Sequence, residues 1–551
     1  MKCTRTVGLY KDRIVSYDIR MVLLGTITSN SAPKVPHALK NILSLMDLAK
    51  QEDVAFVTRA YELARKAHRG QKRFSGEPYL NHVVATATYL AKIGMGPSIV
   101  AAGLLHDSLE DTELSPEEIE SELSADVRGL VTGVTKLGRV RYHGMQRHTE
   151  SLRKLFAATS QDVRVMIIKL ADRLHNAQTL EHVPRPDKRE RIAQETLEIY
   201  APIADRLGMG LMKRELEDAV FPHAYPKEHA KVLKIFKDVG GDDLKRLEQI
   251  HNTVRKKIAE YGVKKFRTAN RIKGLYSLFR KLERKDWDIT RIYDIWAIRI
   301  IVESIPDCYT VLGIVHGEWK PLPGRVKDYI AFKKPNGYKS IHTTIHTGDG
   351  GVIEIQIRTE EMNREAQFGI ASHFSYKESR KSGTSKDGGG AMSWIRQFIP
   401  ARLWMEGQGK SPTGEVKHTY TGNATPAWIQ HIAETYEGED NNPHAFLQNM
   451  KSDFFSHRVF VFTPMGDVID LPLDSSPIDF AYAIHSGIGD HMSGAKVNGK
   501  MASLNTTLKN GDIVEITTSE KARPNRKWVD MAKTTLARRH IRSYLQKETK
   551  A

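Results

Sequence analysis

The sequence predicts a multidomain α+β chain: an all-α domain first, a mixed α/β domain in the middle and a small β-grasp-like module near the end. Three observations carry this. From about Gln51 to Glu215 apolar residues recur at three-to-four spacing without strand-like alternation. The segments IWAIRIIV, TTIHTG and GVIEIQIRT then read as β-strands with helices around them. Short strand patterns return in HRVFVFTPMGDVIDLP, GAKVNGK and GDIVEITTS, on either side of a helical IDFAYAIHSGIG. At 551 residues one core cannot hold the whole chain, and three or four domains are expected.

In order, residues 1–50 read as an N-terminal extension, 51–215 as a helical bundle and 216–263 as a helical connector. Residues 264–378 form the α/β domain. Residues 379–454, rich in Gly, Ser, Lys and Thr (KSGTSKDGGG, GQGKSPTGE), read as a linker with a helix. Residues 455–518 form the β-grasp module and 519–551 a basic C-terminal helix.

Hydrophobic content of 40% and charged content of 27% are ordinary for a globular chain. No run approaches the roughly 18 apolar residues of a membrane span, so no membrane partner is expected. The first residues are basic, with only the short apolar patch MVLLG, and lack the apolar core of a secretory signal; a poorly ordered extension is the simplest reading, with an organellar transit peptide as the alternative. Cys3 and Cys308 are far apart without metal-ligand spacing, which fits a reducing cytoplasm and indicates neither a disulfide framework nor a zinc finger. The net charge of +17 is compatible with nucleotide phosphates, RNA or a solvated surface.

The most chemical segment is LLHDSLEDT, Leu104 to Thr112. An apolar run ends in His106–Asp107, with Glu110–Asp111 one helical turn later. Ionised carboxylates beside a core helix cost several kcal/mol unless compensated, and a divalent cation with a bound phosphate compensates them economically. His82 in SGEPYLNH and Asp172 in KLADRLHNAQT supply a second imidazole and a second carboxylate from other helices. Two His and two Asp form a mixed nitrogen and oxygen shell suited to Mn²⁺, Zn²⁺ or Fe. A lone buried histidine is more simply a hydrogen-bonded core residue; the set of four is what points to metal. A cation lowers the pKa of a water it binds toward about 7, making it a nucleophile for phosphate esters.

This arrangement resembles the HD metal-dependent phosphohydrolases, and SGEPYLNH with KLADRLHN narrows the resemblance to the hydrolase domain of the RelA/SpoT homologues, which make and degrade (p)ppGpp. The resemblance implies Mn²⁺ on His82, His106, Asp107 and Asp172, with Glu110 and Asp111 acting on water and diphosphate. It places Arg73 near the base and phosphates, Asn176 near the base and Thr179 near the ribose. Phe74 and Gln178 stand where many relatives carry a Lys and an Arg, so two positive charges near the substrate are missing here.

Nine Lys or Arg residues crowd KKFRTANRIKGLYSLFRKLERK, Lys264 to Lys285, at helical spacing that puts Lys273, Ser277 and Lys281 on one face. Alone, such a helix is a solvated or nucleic-acid-facing surface. Together with YDIWAIRI, PGRVKDYIAFKKPNGYKSIHTT and EIQIRT it closely resembles the (p)ppGpp synthetase domain, which has a nucleotidyltransferase-like fold and moves the β,γ-diphosphate of ATP to the 3′-hydroxyl of GDP or GTP. The resemblance implies Asp294 and Glu354, on neighbouring strands, as Mg²⁺ ligands, with Glu354 also taking the 3′-hydroxyl proton. Lys273, Ser277 and Lys281 would grip phosphates. Arg271 and Arg299 would sandwich adenine, and Tyr338 would stack on guanine with Asn336 nearby. His342 and Gln356 would line the acceptor pocket. Asn270 departs from the usual Gly. Lys327 belongs to Arg325-Val326-Lys327-Asp328, the RxKD form of members with both activities, where synthetase-only members carry ExDD.

The C-terminal module resembles a TGS domain, with His485 at the position implicated in contact with uncharged tRNA on the ribosome; an internal docking role is the alternative. Long family members continue into further regulatory domains that are not in this sequence. The expectation is a bifunctional enzyme with a conformational switch between its sites. The alternatives are a hydrolase with weak synthetase activity, or a tRNA- or ribosome-binding regulator with relic catalytic domains. GDP or GTP preference and oligomeric state are not legible.

Overall fold

The computed structural model describes residues 36–46, 50–138, 162–334, 336–348, 351–372, 374, 458–509 and 511–548. The expected linker, residues 379–454, lies outside the described residues, as do residues 1–35.

The first unit is a helical bundle built around one helix that is apolar on every side. This helix, α4 (Pro97–Leu105), buries every residue from Ile99 to Leu105, which is why it lies at the centre. Around it pack α2 (Gln51–Ala67), α3 (Leu80–Lys92), α7 (Ala125–Gly138) and α8 (Val163–Gln178), with α1 (His37–Leu45) against α2 and α3, and with α5 (Ser108–Asp111) and α6 (Pro116–Glu122) between α4 and α7 in the chain. A Ser115–Glu118 capping box starts α6. Helix α1 corrects the expectation that residues 1–50 are a loose extension: Leu39 and Ile42 are fully buried in the bundle core. Its short apolar stripe of two buried positions is too weak a periodicity to stand out in the sequence.

The chain continues through α9 (Pro186–Glu195), a π-helical turn (Thr196–Tyr200), α10 (Ala201–Arg206), α11 (Gly210–Ala224) and the 35-residue α12 (Pro226–Glu260). The expected connector, residues 216–263, takes in α12 and the second half of α11. Rather than merely connecting, α11 gives Met212, Leu216 and Val220 to the bundle core and Phe221 to the next core, and α12 gives Val232, Leu247, Val254 and Ile258 to that second core.

The second unit is a five-stranded sheet of order β1-β2-β5-β4-β3, made of β1 (Phe266–Ile272), β2 (Trp296–Val302), β3 (Lys327–Asp328), β4 (Ile341–His346) and β5 (Val352–Thr359). Only β2 and β5 pair in parallel. Helices α13 (Leu275–Glu283), α14 (Ile305–Glu318) and α15 (Glu360–Phe368) accompany it. The basic segment 264–285 is therefore not one helix: its first half is β1, and Lys273 stands between strand and helix.

The two units are stitched at Gly369. Its φ of +55° turns the chain so that Ile370 N–H donates to the Leu207 carbonyl at 2.9 Å, and Ile370 and Ala371 enter the bundle core. A Cβ at 369 would overlap the Leu207 carbonyl oxygen and the Gly208 backbone. Gly369→Ala is expected to cost at least about 3 kcal/mol, strain and clash acting together, read as a drop of several degrees in the thermal melting of the full chain.

The third unit pairs β6 (Arg458–Phe462) with β7 (Val468–Pro472), and β10 (Val514–Thr518) with β8 (Met492–Val497) and β9 (Lys500–Ala502). A parallel bridge from Phe462 to Ile513 joins the two sheets. Helix α16 (Pro477–Ile484) packs across them, followed by α17 (Ser486–Asp490), α18 (Arg526–Met531) and α19 (Thr535–Glu548). This is the β-grasp arrangement expected.

Candidate active sites

His106 and Asp107 sit where α4 ends and α5 begins, so one buried helix delivers both. Helix α3 brings His82 and α8 brings Asp172. His82 Nε2 lies 3.4 Å from Asp107 Oδ2 and 3.3 Å from Asp172 Oδ1; His106 Nε2 lies 3.1 Å and 3.7 Å from the same atoms. The four expected ligands thus converge. Atoms bonding one cation at about 2.1 Å are roughly 3.0–3.5 Å apart; three of the four distances fall in that range, and His106 to Asp172, at 3.7 Å, lies just outside it. His106 Nε2 is buried and forms no hydrogen bond despite its two close carboxylates, as expected of lone pairs aimed at a shared point. His82, His106 and Asp107 form the one group able to hold a metal among the described residues.

The electrostatics agree. Burial pushes His106 down, but Asp107 and Asp172 more than reverse this and carry it up to about 10. Both carboxylates stay well below their usual range in spite of burial, Asp107 through His106 and Asp172 through Lys169 and the imidazoles. The site demands positive charge, which a proton or a cation can supply, and the two compete.

Several partners escaped the sequence reading. Lys169 Nζ donates to Asp172 Oδ2 at 2.8 Å. Tyr79 OH donates to Asp107 Oδ2 at 2.7 Å and to Asp111 Oδ2 at 3.1 Å, tying Asp111 to the cluster. Glu110 is exposed. Arg73 reaches Thr179 Oγ1 at 3.3 Å and donates to Asn176 Oδ1, while Asn176 Nδ2 donates to Asp172 Oδ1 at 2.6 Å. The expected nucleotide residues therefore meet beside the cluster, and Asn176 links Arg73 to a metal ligand. Phe74 is largely exposed with Lys188 Nζ 5.6 Å from its ring centre, a cation that no motif signalled.

The second site lies on one face of the five-stranded sheet. Register places Arg271, Ala297, Glu354 and Thr344 in one row across β1, β2, β5 and β4. Ala269, Arg299, Gln356, His342 and Lys327 form the next row, ending on β3. Paired residues share a face, so Arg271, Arg299, Glu354, Gln356, His342 and Lys327 all project to the same side. Glu354 Oε1 accepts from His342 Nδ1 at 3.0 Å and Oε2 from Gln356 Nε2 at 2.9 Å. Tyr338 OH is 2.7 Å from His342 Nε2. Tyr329 and Lys334, missed in the sequence, flank Tyr338: the Tyr329 ring meets it edge-on and Lys334 Nζ lies 5.2 Å from its centre. Asn336 is held by the Asp205 carbonyl of the helical unit at 3.3 Å.

Asp294 corrects its expected position: it precedes β2 by two residues rather than lying on the strand. Its Oδ2 accepts from Lys273 Nζ at 2.9 Å and from Lys281 Nζ. Burial pushes Asp294 up, and the two ammonium groups outweigh that and hold it well below the usual range. Burial carries Lys273 down to about 8 in spite of Asp294. Arg325 lies 5.3 Å from the ring centre of Tyr293, next to Asp294, and Asp328 closes its own loop by accepting from Ile330 N and Ala331 N.

Ser277 was expected beside the lysines. Its hydroxyl instead donates to Glu217 Oε2 of α11 at 3.3 Å, while Tyr276 N–H donates to Asp218 Oδ1 at 3.2 Å. Burial raises Glu217 from an ordinary 4.5 to about 7, opposed by Lys213 and reinforced by Asp205 and Asp218. The fold thus favours its protonated form. That contribution, about 3 kcal/mol, is complete below pH 4.5 and lost as pH rises through about 7. In thermal melts between pH 5 and 8, Glu217→Gln is expected to lose less stability with rising pH than the parent.

His485 is exposed and caps α17, its Nδ1 accepting from Gly487 N–H at 3.0 Å. Among the described residues no helix is long and apolar enough to cross a membrane.

Sequence profiles of three families match the chain: HD domain over residues 60–210, region found in RelA / SpoT proteins over 270–381, and TGS domain over 459–518. The chain is 41% identical over 500 residues to a guanosine-3′,5′-bis(diphosphate) 3′-pyrophosphohydrolase of Aquifex aeolicus, covering 89% of this chain and 65% of that one. A protein of the same name from Vibrio cholerae is 37% identical over 91% of this chain and 67% of its own length. The bifunctional (p)ppGpp synthase/hydrolase SpoT of Escherichia coli is 38% identical over 90% of this chain and 65% of its own. The chain spans about three-fifths of the length of most of the curated relatives it matches. With three profiles in order and these identities over nine-tenths of its residues, the chain belongs to the RelA/SpoT family.

Proposed function

We propose that this chain both makes and degrades (p)ppGpp: it transfers the diphosphate of ATP to the 3′-hydroxyl of GDP or GTP, and hydrolyses the 3′-diphosphate of the product. The observation that carries the reading is the convergence of His82, His106, Asp107 and Asp172 on one point, in a chain that also presents Glu354, Gln356, His342 and the two arginines on one sheet face.

In the hydrolase site two imidazoles and two carboxylates would hold a divalent cation, and this mixed set suits Mn²⁺ better than Mg²⁺, which prefers all-oxygen ligands. When bound, the cation activates water toward the 3′-diphosphate. Lys169 fixes the Asp172 carboxylate, Tyr79 aligns Asp107 with Asp111, and Asp111 is placed to orient water. Arg73, Asn176 and Thr179 receive the nucleotide. In the synthetase site Asp294 and Glu354 supply the oxygen donors that Mg²⁺ takes. Lys273 and Lys281, now on Asp294, would turn to the ATP phosphates as these arrive, and Arg271 and Arg299 would stack on adenine. Glu354, oriented by His342 and Gln356, takes the 3′-hydroxyl proton, while Tyr338 stacks on guanine. Contact of the TGS module with uncharged tRNA through His485, and residence in the cytoplasm, belong to the same proposal.

Two incubations test it, one with ATP, GDP and Mg²⁺ and one with ppGpp and Mn²⁺, each resolved by nucleotide chromatography. Turnover is expected in both. Turnover in only one would reduce the chain to a single activity, and in neither would leave a non-catalytic regulator.

A further inference from the structure

The metal cluster contains a partner that the proposed hydrolysis does not use. A histidine that binds a cation through Nε2 must carry its proton on Nδ1, and that N–H needs an acceptor, usually a carboxylate, a backbone carbonyl or water. His106 follows the rule: its Nδ1 lies 2.8 Å from the Gly103 carbonyl. His82 does not. Its Nε2 faces Asp107 and Asp172, and its Nδ1 lies 2.8 Å from Nδ1 of His175 and 3.4 Å from Arg73 Nη1. A guanidinium cannot accept. The acceptor for His82 is therefore the Nδ1 lone pair of His175.

We infer that His175 is a positioning residue that fixes the metal-binding tautomer and ring orientation of His82, acting as a neutral imidazole protonated on Nε2. Arg73 enforces that state. Its Nη1 donates to the same Nδ1 at 3.0 Å, so a proton on this nitrogen would face both the guanidinium and the His82 N–H. One lone pair thus receives the metal ligand and the arginine expected to meet the nucleotide. His175 lies three residues after Asp172 on α8, so the helix that supplies one ligand also sets the tautomer of another. The packing supports the assignment: the His82 and His175 rings are 4.9 Å apart at 45°, tilted rather than stacked, which leaves the two Nδ1 atoms facing.

The inference rests on the metal reading above, and its test separates the two. Mn²⁺ binding to the full chain is titrated by the EPR signal of the free ion, with no nucleotide present. The parent chain is compared with His175→Leu, His175→Gln and His175→Asn. Asn can place its amide oxygen where Nδ1 was; Gln carries the same group one bond too far. Partners of this kind are typically worth 10- to 100-fold in metal affinity. His175→Leu and His175→Gln are expected to weaken Mn²⁺ binding by that factor, and His175→Asn to stay within a few-fold of the parent. Should His175→Leu fail to fold, the comparison of Asn with Gln, both polar, decides alone. Equal affinity in parent and Gln variants, or equal loss in Asn and Gln, would overturn the role of His175. A parent chain that takes up no Mn²⁺ would overturn the metal reading itself and this inference with it.

Discussion

Asp107→Asn is expected to lower ppGpp hydrolysis by about 10³-fold or more while leaving diphosphate transfer from ATP to GDP near the parent rate. The substitution keeps shape and hydrogen-bonding size, so Tyr79 OH can still donate to residue 107 and the α4–α5 junction can form as before. What disappears is one of two negative charges 3.1 to 3.7 Å from the imidazole nitrogens. A cation at this point contributes several kcal/mol to the transition state, about three powers of ten in rate. The same change removes the Asp107 share of the attraction that lifts His106 to about 10 and leaves that of Asp172, so the ring would lose its proton more readily while the cation would lose a ligand. Steady-state hydrolysis at saturating Mn²⁺, beside a synthesis assay on the same preparation, checks this. Hydrolysis within tenfold of the parent would mean that Asp107 is not a ligand.

The sites differ in how much of them was legible in the sequence. The four expected hydrolase-site residues were legible because His106 and Asp107 end a fully apolar helix, where an ionisable group needs a reason, and because His82 and Asp172 stand in the motifs SGEPYLNH and KLADRLHN. Their neighbours were not. Lys169, His175 and Tyr79 lie within or beside the same motifs, but a Lys, His or Tyr in or beside a helix is ordinary until the fold aims it. The basic segment shows the opposite failure. Lys273, Ser277 and Lys281 have helical spacing, yet residues 266–272 pair with β2 from Phe266↔Val302 to Ile272↔Trp296. Those hydrogen bonds come from a strand more than twenty residues away, and local spacing carries no trace of them. Lys273 and Lys281 still meet, at Asp294, because the strand ends where the helix begins. Ser277 does not join them, since α11 offers it Glu217. The boundary expected at residue 215 cut α11 in two for a related reason: a helix with one face for each of two cores has a broad apolar pattern that marks no domain edge.

Glu354→Gln is expected to reduce diphosphate transfer by about 10³-fold, within the range for loss of a general base, with ppGpp hydrolysis unchanged. Burial pushes Glu354 up, but the hydrogen bond and charge of His342, helped by Gln356, hold it below the usual carboxylate range. A carboxylate so stabilised is a weak base, which is no obstacle in phosphoryl transfer: the transition state is loose, the proton leaves late, and position matters more than strength. Position is what the sheet supplies. Glu354 lies in the row of Arg271 and next to the row of Arg299, Gln356 and His342, and both its oxygens are held from the side by neighbours on that face. The Gln side chain fits the same space but can neither take a proton nor bind Mg²⁺ as an anion. A control distinguishes this role from support of the ring: His342→Asn keeps an amide donor to the carboxylate and should cost less, roughly 10- to 100-fold, with the loss concentrated in KM for GDP because Tyr338 OH loses its acceptor at Nε2. If Glu354→Gln stayed within about tenfold of the parent and His342→Asn did not, the proton would be leaving through the Tyr338–His342 pair, and Glu354 would serve only to hold the imidazole in line.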